Sequence, residues 1–502
     1  MYFPSANEFL SLTNKGNLIP VCKEISGDLE TPVSAYMKIA KNAKYSFLFE
    51  SVEGEEKIAR YSFLAKDPEL IFQSKKRNIE ITHFRDGHAQ KNTLKIIDTP
   101  FSFLREIMSQ YKFVEIAGLP RFCGGLVGYI GYDTVRFFEK LPEKTKDDLS
   151  LPDILLILVK DLIIFDHRSH KIKIVSCAQT NPKESRLQKL RAYQKSVDTI
   201  DRLINELNQP LSADHEGYTQ EFDRLAVHSN VTEEEFKKSV VAAKKHITAG
   251  DIIQAVLSQR FEVRIKTNPL NIYRTLRSLN PSPYMYFLNF NGIEIIGSSP
   301  ELLVRCEKGI VETRPIAGTR PRGKDDKEDK ILAKNLLDDP KEKAEHIMLV
   351  DLGRNDLGRV CERGSVQVSE FMLIENYSHV MHIVSNVKGK LRKDKDIFDV
   401  LQATFPAGTV SGAPKIRAME IIEELENVRR GPYAGCVGYF SFSGNLDTCI
   451  TIRTIVSMNK KAYIQAGAGI VADSDPKREY TETLNKAKAQ LVAIEMAHQQ
   501  RS

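Results

Sequence analysis

The chain contains no tryptophan in 502 residues. It also has no run approaching the roughly 18 consecutive apolar residues of a membrane span. Its most apolar stretch, Ile154 to Val159, is closed by Asp153 and Lys160 and reads as a buried strand. Blocks of like charge are missing too: Lys324 to Lys330 alternates in sign, as a solvated loop does, so neither nucleic acid nor a membrane is expected as a partner. The opening MYFPSANEFL lacks the basic-then-apolar pattern of a secretory leader. Seven cysteines, an odd number with no C-x-x-C, argue for reduced thiols and a cytoplasmic location. The glycine-rich Gly124 to Gly131 has no following Lys-Ser/Thr, which excludes a phosphate-binding P-loop and leaves close strand packing.

What is present is ordinary globular material: 42% hydrophobic residues, 27% charged and a formal charge of +6, enough chain for roughly two to four domains. Lys44 to Glu50, Arg60 to Ala65 and Lys171 to Ser176 read as strands, and a helix is expected over 183–207. The polar segment Asn208 to Asn230 holds the expected domain boundary, placed between residues 215 and 216. Beyond it Thr232 and Glu235 form a capping box, and the helix they open runs to about Ala249 before Gly250. Leu257 to Ile265 alternates apolar with polar, as a half-buried strand does. Further strands are expected near 284–290, 437–442, 449–456 and 462–466, with helices near 341–352, 416–425 and 477–497. Strands grouped between helices, rather than in strict alternation with them, favour α+β with antiparallel sheets.

Two acidic pairs stand out, Glu342-x-x-Glu345 and Glu479-x-x-Glu482. Each follows an Asp-Pro (Asp339-Pro340, Asp475-Pro476) that starts a helix, with Asp as N-cap and Pro at the first helical position. Residues three apart share a helix face, so two such starts facing each other would form a four-carboxylate, all-oxygen cage suited to Mg²⁺. The same spacing also decorates solvated helix faces. Gly467-Ala-Gly-Ile-Val-Ala472 matches G-x-G-x-x-A, yet the helix signal comes only at Asp475-Pro476, which excludes a dinucleotide fingerprint. Its glycines either bring backbone N–H groups to an anion or pack against a neighbouring strand. Arg453 closes the apolar run from Thr448 and is either a structural ion pair or a carboxylate clamp. His382 sits among apolar residues, as a core histidine or a catalyst would. Glu301 and Lys415, each after a proline, read as helix-start residues.

In order along the chain come Pro315-Ile-Ala-Gly-Thr-Arg-Pro-Arg-Gly323, Ala344-Glu-His-Ile-Met-Leu-Val-Asp-Leu-Gly-Arg-Asn-Asp-Leu357, Gly408-Thr-Val-Ser-Gly-Ala-Pro-Lys415 and Gln465-Ala-Gly-Ala-Gly-Ile-Val471. With these strings the chain resembles the chorismate-utilising enzymes, and within them the anthranilate synthase component I group, across essentially its whole length. The resemblance implies a layered α/β/β/α core of two packed, mainly antiparallel sheets, with an N-terminal domain (1–215) and a chorismate-binding catalytic domain (216–502). It implies Mg²⁺ on Glu345 and Glu482, supported by Glu342 and Glu479 through metal-bound waters. It implies chorismate held by Gly318, Thr319, Tyr433, Arg453, Gly467, Ala468, Gly469 and Lys486, with Thr409 and His382 against the ring. The implied reaction adds ammonia, releases the ring hydroxyl and eliminates pyruvate to give anthranilate. Glu301 would protonate the hydroxyl, and His382 would assist its loss or the elimination.

Two positions separate the chain from similar families. Aminodeoxychorismate synthases, the nearest alternative, carry a nucleophilic Lys where this chain has Ala317. Isochorismate and salicylate synthases carry a Lys base in the place of Gln254, and a neutral amide cannot activate water. Leu48-Phe-Glu-Ser51, Arg60-Tyr-Ser-Phe63 and Asn280-Pro-Ser-Pro-Tyr-Met285 resemble the segments that bind L-tryptophan as feedback inhibitor, implying a site at Ser51, Pro283, Tyr284 and Met285. A tryptophan sensor without catalysis would have no use for Glu345, Glu482, His382 and Arg453. With no Cys-His-Glu amidotransferase unit attached, a separate glutamine amidotransferase subunit is expected to deliver ammonia, in a heterotetramer.

Overall fold

The computed structural model describes residues 1–51, 60–85, 88–96, 98–211, 225–377 and 380–499. Two large sheets dominate it, and the strand pairings within them are antiparallel throughout. Side-chain alternation along the strands shows how they stack. Phe47, Phe63, Leu162 and Leu288 face the second sheet, in one core with Leu126, Leu156 and Phe440. Their neighbours Leu48, Leu64, Ile163 and Phe287 face outward, under the helices Arg186–Leu207, Pro269–Leu279 and Pro476–Gln499. On the far side, Ile397–Thr404 covers the second sheet through Phe398 and Leu401. The result is helix, sheet, sheet, helix, because each strand has two apolar faces to bury.

Each sheet takes strands from both halves of the chain. Tyr45–Glu50 pairs with Tyr284–Phe290 in one, and Gly125–Ile130 with Cys436–Ser441 in the other. The boundary expected between 215 and 216 lies outside the described residues. Gly125 and Gly128 allow the close strand approach expected of them: a Cβ there would lie 2.0 Å from the Phe440 carbonyl and 2.1 Å from that of Leu155.

One expected strand is two. Residues 449–456 do not run through; Leu446–Ile450 belongs to the second sheet and Thr454–Met458 to the first. The chain crosses at Thr451 to Arg453, where Arg453 adopts a left-handed φ of 53°. No Gly or Pro marks the crossing, and hydrogen bonds made elsewhere fix it: Ala434 N–H donates to the Thr451 carbonyl at 3.0 Å and Ser298 N–H to that of Arg453 at 3.2 Å. A left-handed non-glycine residue costs roughly 1–2 kcal/mol, so the surrounding structure must impose it.

Candidate active site

Both Asp-Pro helix starts form as their local chemistry dictates. Asp339 Oδ1 accepts the N–H groups of Lys341 and Glu342 at 3.0 and 3.3 Å, opening Pro340–Gly358. Asp475 Oδ1 accepts those of Lys477 and Arg478 at 3.1 and 2.9 Å, opening Pro476–Gln499. Lys341 Nζ meets Asp473 at 3.1 Å and bridges the two starts. Burial, then the charge of Glu342, pushes the Glu345 carboxyl above its usual range. Burial, opposed by a Ser474 hydrogen bond and reinforced by Glu482, does the same to Glu479. Gln254 Nε2 lies 3.4 Å from Glu345 Oε1.

The carboxylates nevertheless do not close into the expected cage. Among the described residues no three His, Cys, Asp or Glu side chains are grouped to hold a metal ion. Two of the four are already paired. Arg320 holds Glu342 at 3.0 Å and Asp339 at 2.9 Å, and Lys486 holds Glu482 at 2.7 Å. Arg320 and Lys341 thus belong to the site as well, and nothing in their local sequence marks them for it. The donors suit a hard divalent cation all the same: they are oxygens only, and Glu345 and Glu479 carry partly desolvated negative charge that a cation would relieve.

The residues expected to hold the substrate's carboxylates gather around one strand. Gly467, Ala468 and Gly469 stand in the strand Lys461–Ile470, paired with Gln254–Arg264. A Cβ on Gly467 would meet the Tyr433 hydroxyl at 2.7 Å, and one on Gly469 the Gln254 amide nitrogen at 2.5 Å. These glycines therefore let site side chains lie against the backbone. Lys486 Nζ donates to the Gly467 carbonyl at 3.0 Å, and Arg453 Nη1 donates to the Lys486 carbonyl at 2.5 Å. Burial lowers the Arg453 pKa, with Tyr433 and the charge of Glu482 pulling the other way. A desolvated cation of this kind favours an anionic ligand. Burial likewise pushes the Tyr433 phenol up to about 12, keeping it a neutral donor.

Glu301 and His382 are the titratable groups expected to move protons. Glu301 is buried just before the strand Leu302–Glu307, not at the helix start expected for it; its carbonyl accepts the Ile450 N–H at 3.0 Å. Burial pushes its carboxyl up to about 7, with the Thr409 hydroxyl and the Lys486 ammonium pulling partly the other way. That Thr409 hydroxyl, like Gln254 Oε1, is buried without a well-aligned partner among the described residues. His382 Nδ1 lies 2.8 Å from the Gly318 carbonyl and 3.2 Å from Thr319 Oγ1. A carbonyl only accepts, so Nδ1 carries the proton and Nε2 is left as an acceptor. Burial lowers the His382 pKa, which keeps the ring neutral. Gly318 itself has φ 68°, and a Cβ there would sit 2.9 Å from the Glu342 carboxylate. Ala317 is buried beside it, paired with Ile383. Lys415 does begin a helix, Lys415–Leu425, and its ammonium meets buried Asp356 at 2.9 Å.

The residues expected to bind tryptophan lie apart from this site but together. Ser51, Pro283, Tyr284 and Met285 all line one cavity of about 60 Å³ between the sheets. Asp447 on its wall accepts from Tyr284 at 2.9 Å, Arg305 at 3.0 Å and Arg121 at 2.8 Å. Through Tyr61, Tyr284 and Arg305 it adjoins a polar cleft of about 1370 Å³ that holds none of the residues expected to do chemistry.

Glycines opened to side chains, a desolvated arginine and buried acid–base groups between two carboxylate helices accord with a family comparison. The family of chorismate binding enzymes matches residues 44–492, and the chain belongs to that family. Within it, the chain is similar from end to end to anthranilate synthase component 1. It is 50% identical to that protein of Acetivibrio thermocellus, with 99% of each chain covered, and 48% identical to that of Aquifex aeolicus, with 99% of this chain and 98% of the other covered. The crystal structure of anthranilate synthase component I from Streptococcus pneumoniae superposes with a TM-score of 0.76 at 39% identity, covering 93% of this chain and 98% of that one.

Proposed function

We propose that this enzyme is the large subunit of an anthranilate synthase, converting chorismate and ammonia to anthranilate, pyruvate and water. The observation that carries the reading is that the chain holds both a buried carboxyl still protonated near neutral pH, Glu301, and a neutral imidazole whose Nδ1 carries the proton and leaves Nε2 as an acceptor, His382. The ring hydroxyl is a poor leaving group, and Glu301 supplies the proton with which it departs as water. His382 Nε2 accepts the ring proton given up as pyruvate is eliminated. Ala317 offers no nucleophile and Gln254 no base for water, so ammonia from outside is the attacking group. Arg453, Lys486, the Tyr433 hydroxyl and the backbone around Gly467 to Gly469 bind and orient the substrate's carboxylates, together with Gly318 and Thr319.

Glu345 and Glu482 would hold Mg²⁺, with Glu342 and Glu479 acting through its waters. When bound, the ion would orient the ring carboxylate and draw electron density from the ring. Release of Glu342 from Arg320, and of Glu482 from Lys486, would free both carboxylates for that role.

Ammonia would come from a glutamine amidotransferase subunit, in a cytoplasmic heterotetramer. The cavity at Ser51, Pro283, Tyr284 and Met285 would take L-tryptophan as inhibitor. Among the described residues no helix is long and apolar enough to cross a membrane. The test is anthranilate fluorescence from chorismate, ammonium and Mg²⁺. Product is expected with the chain alone at high ammonium and is expected to vanish with EDTA. Formation of 4-amino-4-deoxychorismate instead would replace this reading with the related aminodeoxychorismate synthase activity.

A further inference from the structure

The helix Pro340–Gly358 is tied to the second sheet by a bond that the proposed chemistry does not use. His346, the residue after Glu345, is fully buried, and its Nε2 lies 2.6 Å from the Ser385 hydroxyl. Ser385 is equally buried; its hydroxyl accepts the Met372 N–H at 2.9 Å, and its own N–H donates to the Pro315 carbonyl at 3.2 Å. One serine thus joins the helix to the strands Val380–Lys390 and Gln367–Asn376 and to the chain entering Ile316–Pro321. Side chains alternate along a strand, so His382 and Ser385, three apart, project from opposite faces. A single strand presents His382 to the site and anchors the carboxylate helix from behind.

His346 belongs to the buried face of that helix, in line with Leu349, Val350, Asp356 and Leu357, while Ile347 on the other side is 45% exposed. In the turn that carries Glu342 and Glu345, His346 is the buried member of that face. Consecutive residues lie about 100° apart around a helix axis. Fixing the imidazole of His346 inward therefore fixes the direction in which the Glu345 side chain leaves the helix. We propose that His346 and Ser385 are positioning residues, whose buried hydrogen bond holds Glu345 at the angle needed to take a divalent cation. The proposal rests on the reading of Glu345 as a metal ligand.

Mn²⁺ titration of the full chain without substrate, followed by the electron paramagnetic resonance signal of the free ion, separates the two claims. Ser385→Ala and His346→Leu are expected to weaken Mn²⁺ binding about 10- to 100-fold, as loss of supporting contacts does at metal sites, while His346→Gln, whose amide nitrogen replaces Nε2, stays within about threefold. The double variant Ser385→Ala/His346→Leu is expected to bind no more weakly than the weaker single, because both remove the same bond. Should His346→Leu fail to fold, Ser385→Ala, which deletes one atom, still decides the matter. If Glu345→Gln weakens Mn²⁺ binding but Ser385→Ala leaves it unchanged and merely lowers the melting temperature, the bond is only a structural tie and the inference falls. If wild type takes no Mn²⁺, or Glu345→Gln leaves binding unchanged, the metal reading fails and carries the inference with it.

Discussion

At Glu301, function and stability pull against each other. Its folded carboxyl stays protonated up to about pH 7, whereas the unfolded one ionises near 4.5. The folded state therefore binds the proton more tightly, and the stability this contributes is present below the unfolded pKa and lost as pH rises to about 7. At pH 8 the buried carboxylate then costs about 3 kcal/mol, from 1.36 kcal/mol per pKa unit. Glu301→Gln should lower anthranilate turnover by about 10²- to 10⁴-fold and yet raise the urea midpoint at pH 8, with no such gain at pH 4. Equal midpoints at pH 8 would contradict the buried-acid account. For the wild type, kcat/KM for chorismate, measured at constant free ammonia, should fall about tenfold per pH unit above 7, because the general acid is then ionised. Ala317→Lys should damage anthranilate formation, and wild-type output from that variant would refute the assignment of residue 317 to the site. Residue identity made Glu301 a candidate only through the family strings. Its shifted pKa comes from burial by distant parts of the chain, which no local pattern records.

At the scale of elements, what the sequence made legible was local. The Asp339-Pro340 and Asp475-Pro476 starts follow from capping and a fixed proline φ, and both helices begin where that chemistry places them. The break at Thr451 to Arg453 was illegible, because the run Cys449-Ile-Thr-Ile-Arg-Thr has strand-forming residues and no turn signal, and a tertiary constraint overrides it. The ion pairs Arg320–Glu342 and Lys486–Glu482 have no local signature either, because Arg320 reaches Glu342 only through the fold and Lys486 at four residues from Glu482 is a common surface spacing. Asp339→Ala tests the helix start. It removes two backbone acceptor contacts and one partner of Arg320, and should cost about 1 kcal/mol in thermal unfolding. The Mg²⁺ concentration giving half-maximal anthranilate formation should also rise. An unchanged Mg²⁺ response would mean that this turn does not set the carboxylates.

Across the whole molecule, alternation along Leu257 to Ile265 foretold a half-buried strand and the family resemblance two packed sheets, but neither tells which strands meet. The pairings of Tyr45–Glu50 with Tyr284–Phe290 and of Gly125–Ile130 with Cys436–Ser441 join residues far apart in sequence. They bring Ser51 to Tyr284 and create the inter-sheet cavity. At about 60 Å³ it is far smaller than the roughly 300–1,000 Å³ of a preformed ligand pocket, so an indole would have to displace its walls. Ser51→Leu, which fills that space, should abolish inhibition by L-tryptophan while ammonium-dependent activity persists, as read by titration calorimetry and by product fluorescence. Heat of binding retained by that variant would place the inhibitor elsewhere.

The crossing at Arg453 carries a mechanical consequence. Asp447 and Cys449 form part of the cavity wall, and a few residues later the same stretch of backbone swings from one sheet into the other with the guanidinium at its elbow. That geometry would work as a crank. A molecule that spread the layers at one end would turn the arm at the other, and would throttle substrate affinity without competition for a single shared atom.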